Sequence, residues 1–224
     1  MIDEGSQKPF GQEPADAGAK IDRLSAAIPQ LVSRRDAITG LTVLGSSLLA
    51  GRAVVADPAP PPLFTSGRYQ FTLLRPQRLL PSVRLFHLDG GSLDLASFRG
   101  RPLLVNFWAT WCAACRVELP ALDRLSASKR GLSIIAISES RVGREQVGRF
   151  VQSLMVRNLP IYLDPNGYVA HSDAENRTKA LFALYGMPIT YLVGSSGRIL
   201  GYVPGAADWT EPAAEALIEY LGSA

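Results

Sequence analysis

Beyond residue 68 the apolar positions of this chain fall into short blocks that switch between two periods. Residues 69–75 (YQFTLLR) and 83–88 (VRLFHL) read as short strands set apart by Pro76 and Pro81. Asp89-Gly90-Gly91 is a turn signal leading into a further extended stretch at 92–95. Residues 102–108 (PLLVNFW) and 132–138 (LSIIAIS) are near-continuous apolar runs, the pattern of strands covered on both faces. Between them Cys115, Leu119, Leu122 and Leu125 recur at helical spacing. They predict a helix from about residue 112 to 128, kinked at Pro120, which lacks the N–H a helix interior needs. A second helical period (Val147, Phe150, Val151, Leu154) covers 143–155, and a short strand follows at 160–163. After the turn at 164–167, residues 173–185 read as a helix capped by Asp173 and ended by Gly186. Residues 189–193 (ITYLV) and 198–203 form a hairpin about Ser195-Ser196-Gly197. A last helix covers 210–221, with Thr210 as its cap and Pro212 in its first turn. The sum is an α/β chain: a mixed central sheet with helices on both faces and an antiparallel hairpin at one edge.

The first 56 residues follow another logic. Residues 1–32 are polar, without a sustained period, and predict a mostly disordered extension. Arg34-Arg35 then precede an apolar run at 37–50, too short to span a bilayer comfortably, and Val54-Val55-Ala56 offers small residues for cleavage. A charged start, an apolar middle and small residues at the end make an export signal. Ser33-Arg34-Arg35 resembles the opening of twin-arginine signals, although Ala37 and Thr39 stand where the usual Phe and Lys would. A retained membrane anchor through 37–56 and an ordinary amphipathic helix are the alternatives. Residues 57–68, with Asp57-Pro58-Ala59-Pro60-Pro61-Pro62, read as a polyproline II linker, so that the folded domain covers 69–224. A chain of 224 residues, 47% of them hydrophobic, fits one domain plus extensions. The net charge of +3 comes from basic residues scattered among acidic ones, and nothing in it argues for a nucleic-acid surface or partner.

The chain's two cysteines stand together in WCAAC, as Cys112 and Cys115. Two cysteines make no disulfide framework, and closing so short a loop removes little unfolded-state entropy, so the pair is not a staple. A structural zinc site takes four ligands, and the histidines available, His87 and His171, lie in different segments. Covalent haem attachment needs a histidine after the second cysteine, where Arg116 stands. Electron exchange fits the local physics. At a predicted helix start, free N–H groups and the helix dipole stabilise a Cys112 thiolate and make it the attacking sulfur. Cys115, one turn later and more buried, resolves the mixed disulfide. Ala113 and Ala114 add no charge or donor. Glu118 shares the helix face of Cys115, Leu119 and Leu122. It is either a desolvated carboxyl with a raised pKa that exchanges protons with Cys115, or a solvated acid paired with Arg116 or Arg101. His171 reads as a surface residue and His87 as half-exposed in its strand. Arg141, Arg144 and Arg149 read as a solvated face, and the glycosylation sequon at Asn176 falls in a predicted helix.

NFWATWCAACRVELPAL (106–122) and GMPITYLVGSSGRILG (186–201) resemble the TlpA/ResA/CcmG branch of the thioredoxin family, over roughly residues 69–221. The resemblance implies a thioredoxin-like fold with an N-terminal strand extension and a central insertion around 143–171. It implies an exported, periplasmic thiol–disulfide oxidoreductase that needs no metal and no cofactor beyond its own Cys112–Cys115 disulfide. Cys112 matches the exposed nucleophile and Cys115 the resolving thiol. Trp111 packs beside them, and Glu118 matches the branch's active-site glutamate. Pro188 matches the cis-proline that lies against the disulfide, with the backbone of Met187 pairing with substrate. Asn106 stands where thioredoxin itself has a buried aspartate; an amide cannot act as a base, which leaves Glu118 as the candidate. The implied partners are proteins with disulfides, among them apocytochrome c or copper-site proteins, and a membrane electron donor of the CcdA/DsbD type. The same residues also admit an oxidase or isomerase, or a Cu(I) chaperone in which the two soft thiolates hold the metal, with Met187 the only other close sulfur and no His or Met clearly placed to help.

Overall fold

The two apolar runs become the centre of an eight-stranded sheet in the computed structural model, which describes residues 59–129, 131–171 and 180–224. The elements in chain order are β1 Thr65–Ser66, β2 Tyr69–Gln70, β3 Thr72–Leu79, β4 Arg84–His87, β5 Ser92–Asp94, a 3-10 helix Leu95–Phe98, β6 Leu103–Trp108, α1 Ala113–Ser128 and β7 Ser133–Ser138. They continue with α2 Arg144–Ser153, β8 Ile161–Leu163, β9 Ala170–His171, β10 Phe182–Ala183, β11 Ile189–Val193, β12 Arg198–Pro204 and α3 Pro212–Ser223. The main sheet runs β3-β12-β11-β6-β7-β8-β4-β5. Strands β6, β7 and β8 are parallel and the other pairs antiparallel. Every residue of β6 is buried, as its unbroken apolar run requires.

Alternation along β6 divides the core. Leu104 and Trp108 face α1, α2 and α3, whose Leu119, Leu122, Val147, Leu217 and Leu221 pack there. Two successive right-handed crossovers, β6-α1-β7 and β7-α2-β8, must place both helices on one side. Leu103, Val105 and Phe107 face the other side. Among the described residues the helical cover of that side is the 3-10 helix, through Leu95 and Phe98, helped by Val169, Phe182 and Leu184. The expected helices on both faces are thus three α-helices against a short 3-10 turn.

Four expectations change. First, the strand at 69–75 does not stop at Pro76: β3 continues to Leu79 as an edge strand, where a residue without an N–H costs no ladder bond. Second, the β11–β12 hairpin is internal, because β3 pairs outside it; the hairpin at a sheet edge is β4–β5. Third, the described part of the expected 173–185 helix is extended. Phe182 and Ala183 pair in parallel with Ala170 and His171, and Phe182 sits between Phe107 and Tyr191 at centroid distances of 5.1 and 4.9 Å. Burying that ring in an aromatic cluster outweighs local helix preference. Asp173 and the sequon at Asn176 lie outside the described residues. Fourth, α3 starts after Glu211, while Thr210 instead donates its N–H and hydroxyl to Asp208 in the preceding turn.

The linker boundary also moves. Phe64 is buried and stacks on Trp209 at 5.6 Å, and β1 pairs with β2, so residues 64–68 belong to the packed fold. No helix among the described residues is long and apolar enough to cross a membrane. Residues 1–56, including the export-signal reading, lie outside them.

Candidate functional site

Cys112 stands where β6 hands the chain to α1. It is the N-cap of that helix, in extended backbone geometry, and its Sγ accepts a hydrogen bond from the Cys115 N–H at 3.1 Å. The helix start therefore directs a free N–H at this sulfur, the condition that favours a thiolate. The two cysteines form a disulfide. Cys112 is 5% exposed and Cys115 fully buried. The expected order of exposure holds, but the leading sulfur shows only an edge rather than an open surface. Trp111, 72% exposed, stands beside it as the apolar outer wall.

Glu118 is 2% exposed, on the buried face of α1 with Cys115, Leu119 and Leu122. The solvated alternative is excluded: Arg116 lies over the Phe150 ring and Arg101 over Phe98. Glu118 Oε1 accepts from the Ala207 N–H and from Trp209 Nε1–H, both at 3.0 Å. Its Oε2 accepts from Asn106 Nδ2 at 2.9 Å. Burial pushes its pKa up to about 7, against the downward pull of these three bonds. Of the two readings of Glu118, the fold gives the desolvated carboxyl, and burial raises its pKa. It also lines a cavity of about 440 Å³ with Arg124, Asp208 and Thr210.

Asn106 and Thr190 lie opposite one another in the β6–β11 ladder, both fully buried. Asn106 Nδ2 also donates to Thr190 Oγ1 at 2.9 Å, and Asn106 Oδ1 is buried without a hydrogen-bond partner. The Met187–Pro188 peptide is cis, and the Pro188 carbonyl accepts from the Gly205 N–H at 2.7 Å. Met187 and Trp111, two of the three expected docking residues, line one groove, a cavity of about 390 Å³.

Sequence reasoning missed two groups here. Ala207 and Trp209 reach Glu118 from some ninety positions downstream, at separations of 89 and 91 residues. Glu139 and Asp164 line the Trp111–Met187 groove. Asp164 accepts N–H bonds from Tyr168, Val169 and Ala170. Glu139 beside it has its pKa raised to about 9, chiefly by burial and then by the charge and hydrogen bond of Asp164. Arg144 is not a merely solvated residue: it donates to the carbonyls of His87 and Leu88, while Arg149 pairs with Glu145.

The chain is 32% identical over 122 residues to the thiol-disulfide oxidoreductase ResA of Oceanobacillus iheyensis, a match covering 53% of this chain and 57% of that one. It is 33% identical over 122 residues to the thiol:disulfide interchange protein DsbE of Pseudomonas aeruginosa, covering 53% and 61%. These matches thus span under two thirds of either relative. Among solved structures, a secreted thiol-disulfide isomerase from Corynebacterium glutamicum superposes with a TM-score of 0.53 at 19% identity, over 70% of this chain and 96% of that one. A thioredoxin family protein, a thiol:disulfide interchange protein from Chlorobium tepidum TLS, gives 0.52 at 21%, over 65% and 97%. The fold is thioredoxin-like. Residues 76–218, from the edge strand β3 through most of α3 and including the whole dithiol site, match the Redoxin profile, and the chain belongs to the Redoxin family.

Proposed function

We propose that the protein is an exported thiol–disulfide oxidoreductase that reduces disulfides of partner proteins during the maturation of cytochrome c or copper-site proteins. One observation carries this reading: at a single helix start, Cys112 receives the Cys115 N–H, and Cys115 and Glu118 follow on the buried face. In the reduced protein the Cys112 thiolate attacks a partner disulfide, expelling one partner thiolate and bonding to the other sulfur. Cys115 then loses its proton and attacks Cys112. The second partner thiolate leaves, and the Cys112–Cys115 disulfide forms. Two electrons pass to the partner, whose two sulfurs take up protons. Glu118, titrating near neutrality, accepts the proton of Cys115. The wall of Trp111, the Met187 backbone and Pro188 receives the partner polypeptide.

The reductive direction is supported by the resemblance to the ResA and CcmG type and by relatives named as oxidoreductase and interchange proteins. A membrane donor of the CcdA/DsbD type returns the electrons. Residues 1–56 act as the export signal, cleaved or kept as an anchor. The test is to trap mixed disulfides on Cys112 in the full-length Cys115→Ser protein. Recovery of apocytochromes or copper-site proteins, with a wild-type potential near about −270 mV, supports the reading. A broad catch of unrelated exported proteins with a potential near about −120 mV overturns it in favour of an oxidase.

A further inference from the structure

The buried Asn106 Oδ1 has no partner, although its own Nδ2 has two, Glu118 Oε2 and Thr190 Oγ1. A fully buried carbonyl left unpaired is costly and calls for an explanation. The explanation lies in what Asn106 faces. Glu118 Oε1 already accepts two N–H bonds, from Ala207 and Trp209. A proton arriving at the carboxylate therefore settles on Oε2, the oxygen that looks at Asn106. The new O–H then meets an N–H donor, and the acceptor it needs is the orphaned oxygen on the same amide.

We propose that Asn106 is a reversible positioning partner for Glu118: a half-turn of its amide exchanges Nδ2 for Oδ1 at Oε2, so that both forms of the carboxyl are hydrogen-bonded as it trades a proton with Cys115. With Glu118 ionised, Nδ2 donates to Oε2 and to Thr190 Oγ1. When the Cys115 S–H bond breaks and an O–H bond forms at Oε2, the amide turns. Oδ1 now accepts from Oε2–H and from the Thr190 hydroxyl, which serves as acceptor in one state and donor in the other, while Nδ2 moves to the place Oδ1 left, so the two states share the cost of one unpaired end of the amide. No covalent bond of Asn106 changes. An aspartate here could not do this, because an ionised carboxylate only accepts. An apolar residue would leave Oε2 unpaired in both forms.

The charged groups sharing this surrounding are few. Arg124 from α1 and Asp208 from the loop after β12 line the same cavity as Glu118. Strands β6 and β11 present the neutral Asn106 and Thr190, and Cys115 is the thiol on the helix itself.

The proposal rests on the reading that Glu118 serves Cys115, but its test does not. In the oxidised full-length protein no thiol titrates and no electron moves. The side-chain amide of Asn106, followed by 15N NMR from pH 5 to 9, should shift with the same midpoint as the Glu118 carboxyl carbon. In Glu118→Gln that pH dependence should vanish. In Asn106→Asp two buried carboxyls compete for one proton, so the last proton leaves at least one pH unit higher. The pH profile of Cys115 attack in the reduced variant should move by at least the same one pH unit. An Asn106 amide that stays still while Glu118 titrates overturns the proposal, and this wild-type measurement decides even if Asn106→Asp does not fold. A null trapping experiment with Cys115→Ser would sink the partner assignment and leave this result standing.

Discussion

Glu118→Gln offers a measurement of the site's electrostatics through stability alone. The folded carboxyl has its pKa raised from 4.5 to about 7 by burial, so between those values the unfolded chain ionises while the native protein keeps its proton. The native state then binds more protons, and stability must fall as pH rises. The stabilisation is complete below about pH 4.5 and is lost as pH climbs through 7. At about 1.4 kcal/mol per unit, the shift is worth about 3 kcal/mol across that window. Glutamine keeps the volume and an oxygen for the Ala207 and Trp209 donors. Its amide then faces Asn106, whose Oδ1 turns to receive it, so the variant should fold. Urea unfolding of oxidised wild type and variant at pH 4.5 and pH 8.5 is the assay. The wild type should lose about 3 kcal/mol more than the variant between the two, roughly 1–3 M in midpoint at usual denaturant slopes. The raised pKa of Glu139 adds its own loss to both proteins and cancels in the difference. Parallel curves would refute the argument, since they would mean that Glu118 ionises alike in native and unfolded chains.

Two further outcomes test the frame around the site. Asp123 holds the 157–159 turn to α1, accepting N–H bonds from Arg157, Asn158 and Leu159. Burial pushes its pKa up, but these bonds outweigh it and hold the group below its ordinary value. Asp123→Ala should cost roughly 3 kcal/mol at pH 7 by urea unfolding, with the cost shrinking as pH falls below about 4. Gly201→Ala would put a Cβ 2.3 Å from the Thr72 carbonyl and 2.6 Å from the Phe71 ring, where β12 meets β3. A loss of about 1–3 kcal/mol and weakened hydrogen-exchange protection across β3 are expected; an unchanged melting temperature would contradict that packing.

What could be read from the sequence was what neighbours in the chain decide. The helix start at Cys112, the buried strands at 103–108 and 133–138, and the inward turn of Glu118 all follow from residues within two helical turns of one another. Pairing at a distance could not be read. Trp209 meets Glu118 across 91 residues and Thr190 meets Asn106 across 84, and neither carries a periodic signal. Phe182 looked helical because its neighbours do, yet a ring cluster contributed by β6 and β11 draws it into an extended segment. Glu139 reads as an ordinary polar residue after a strand until the fold brings Asp164 beside it.

The substitution of an amide for thioredoxin's buried aspartate is where these two levels meet. With Asn106 on the strand and the carboxyl on α1, Glu118 sits one helical turn beyond Cys115 and takes hydrogen bonds from the loop that leads into α3. Bonds to an ionised oxygen are shorter and roughly twice as strong as bonds to a neutral one. Ionising Glu118 therefore tightens its hold on Ala207 and Trp209, and protonating it loosens that hold. Trp209 in turn stacks on Phe64, the first buried residue after the proline-rich stretch. Glu118 is thus joined by a hydrogen bond and a ring stack to Phe64, just after the proline-rich stretch.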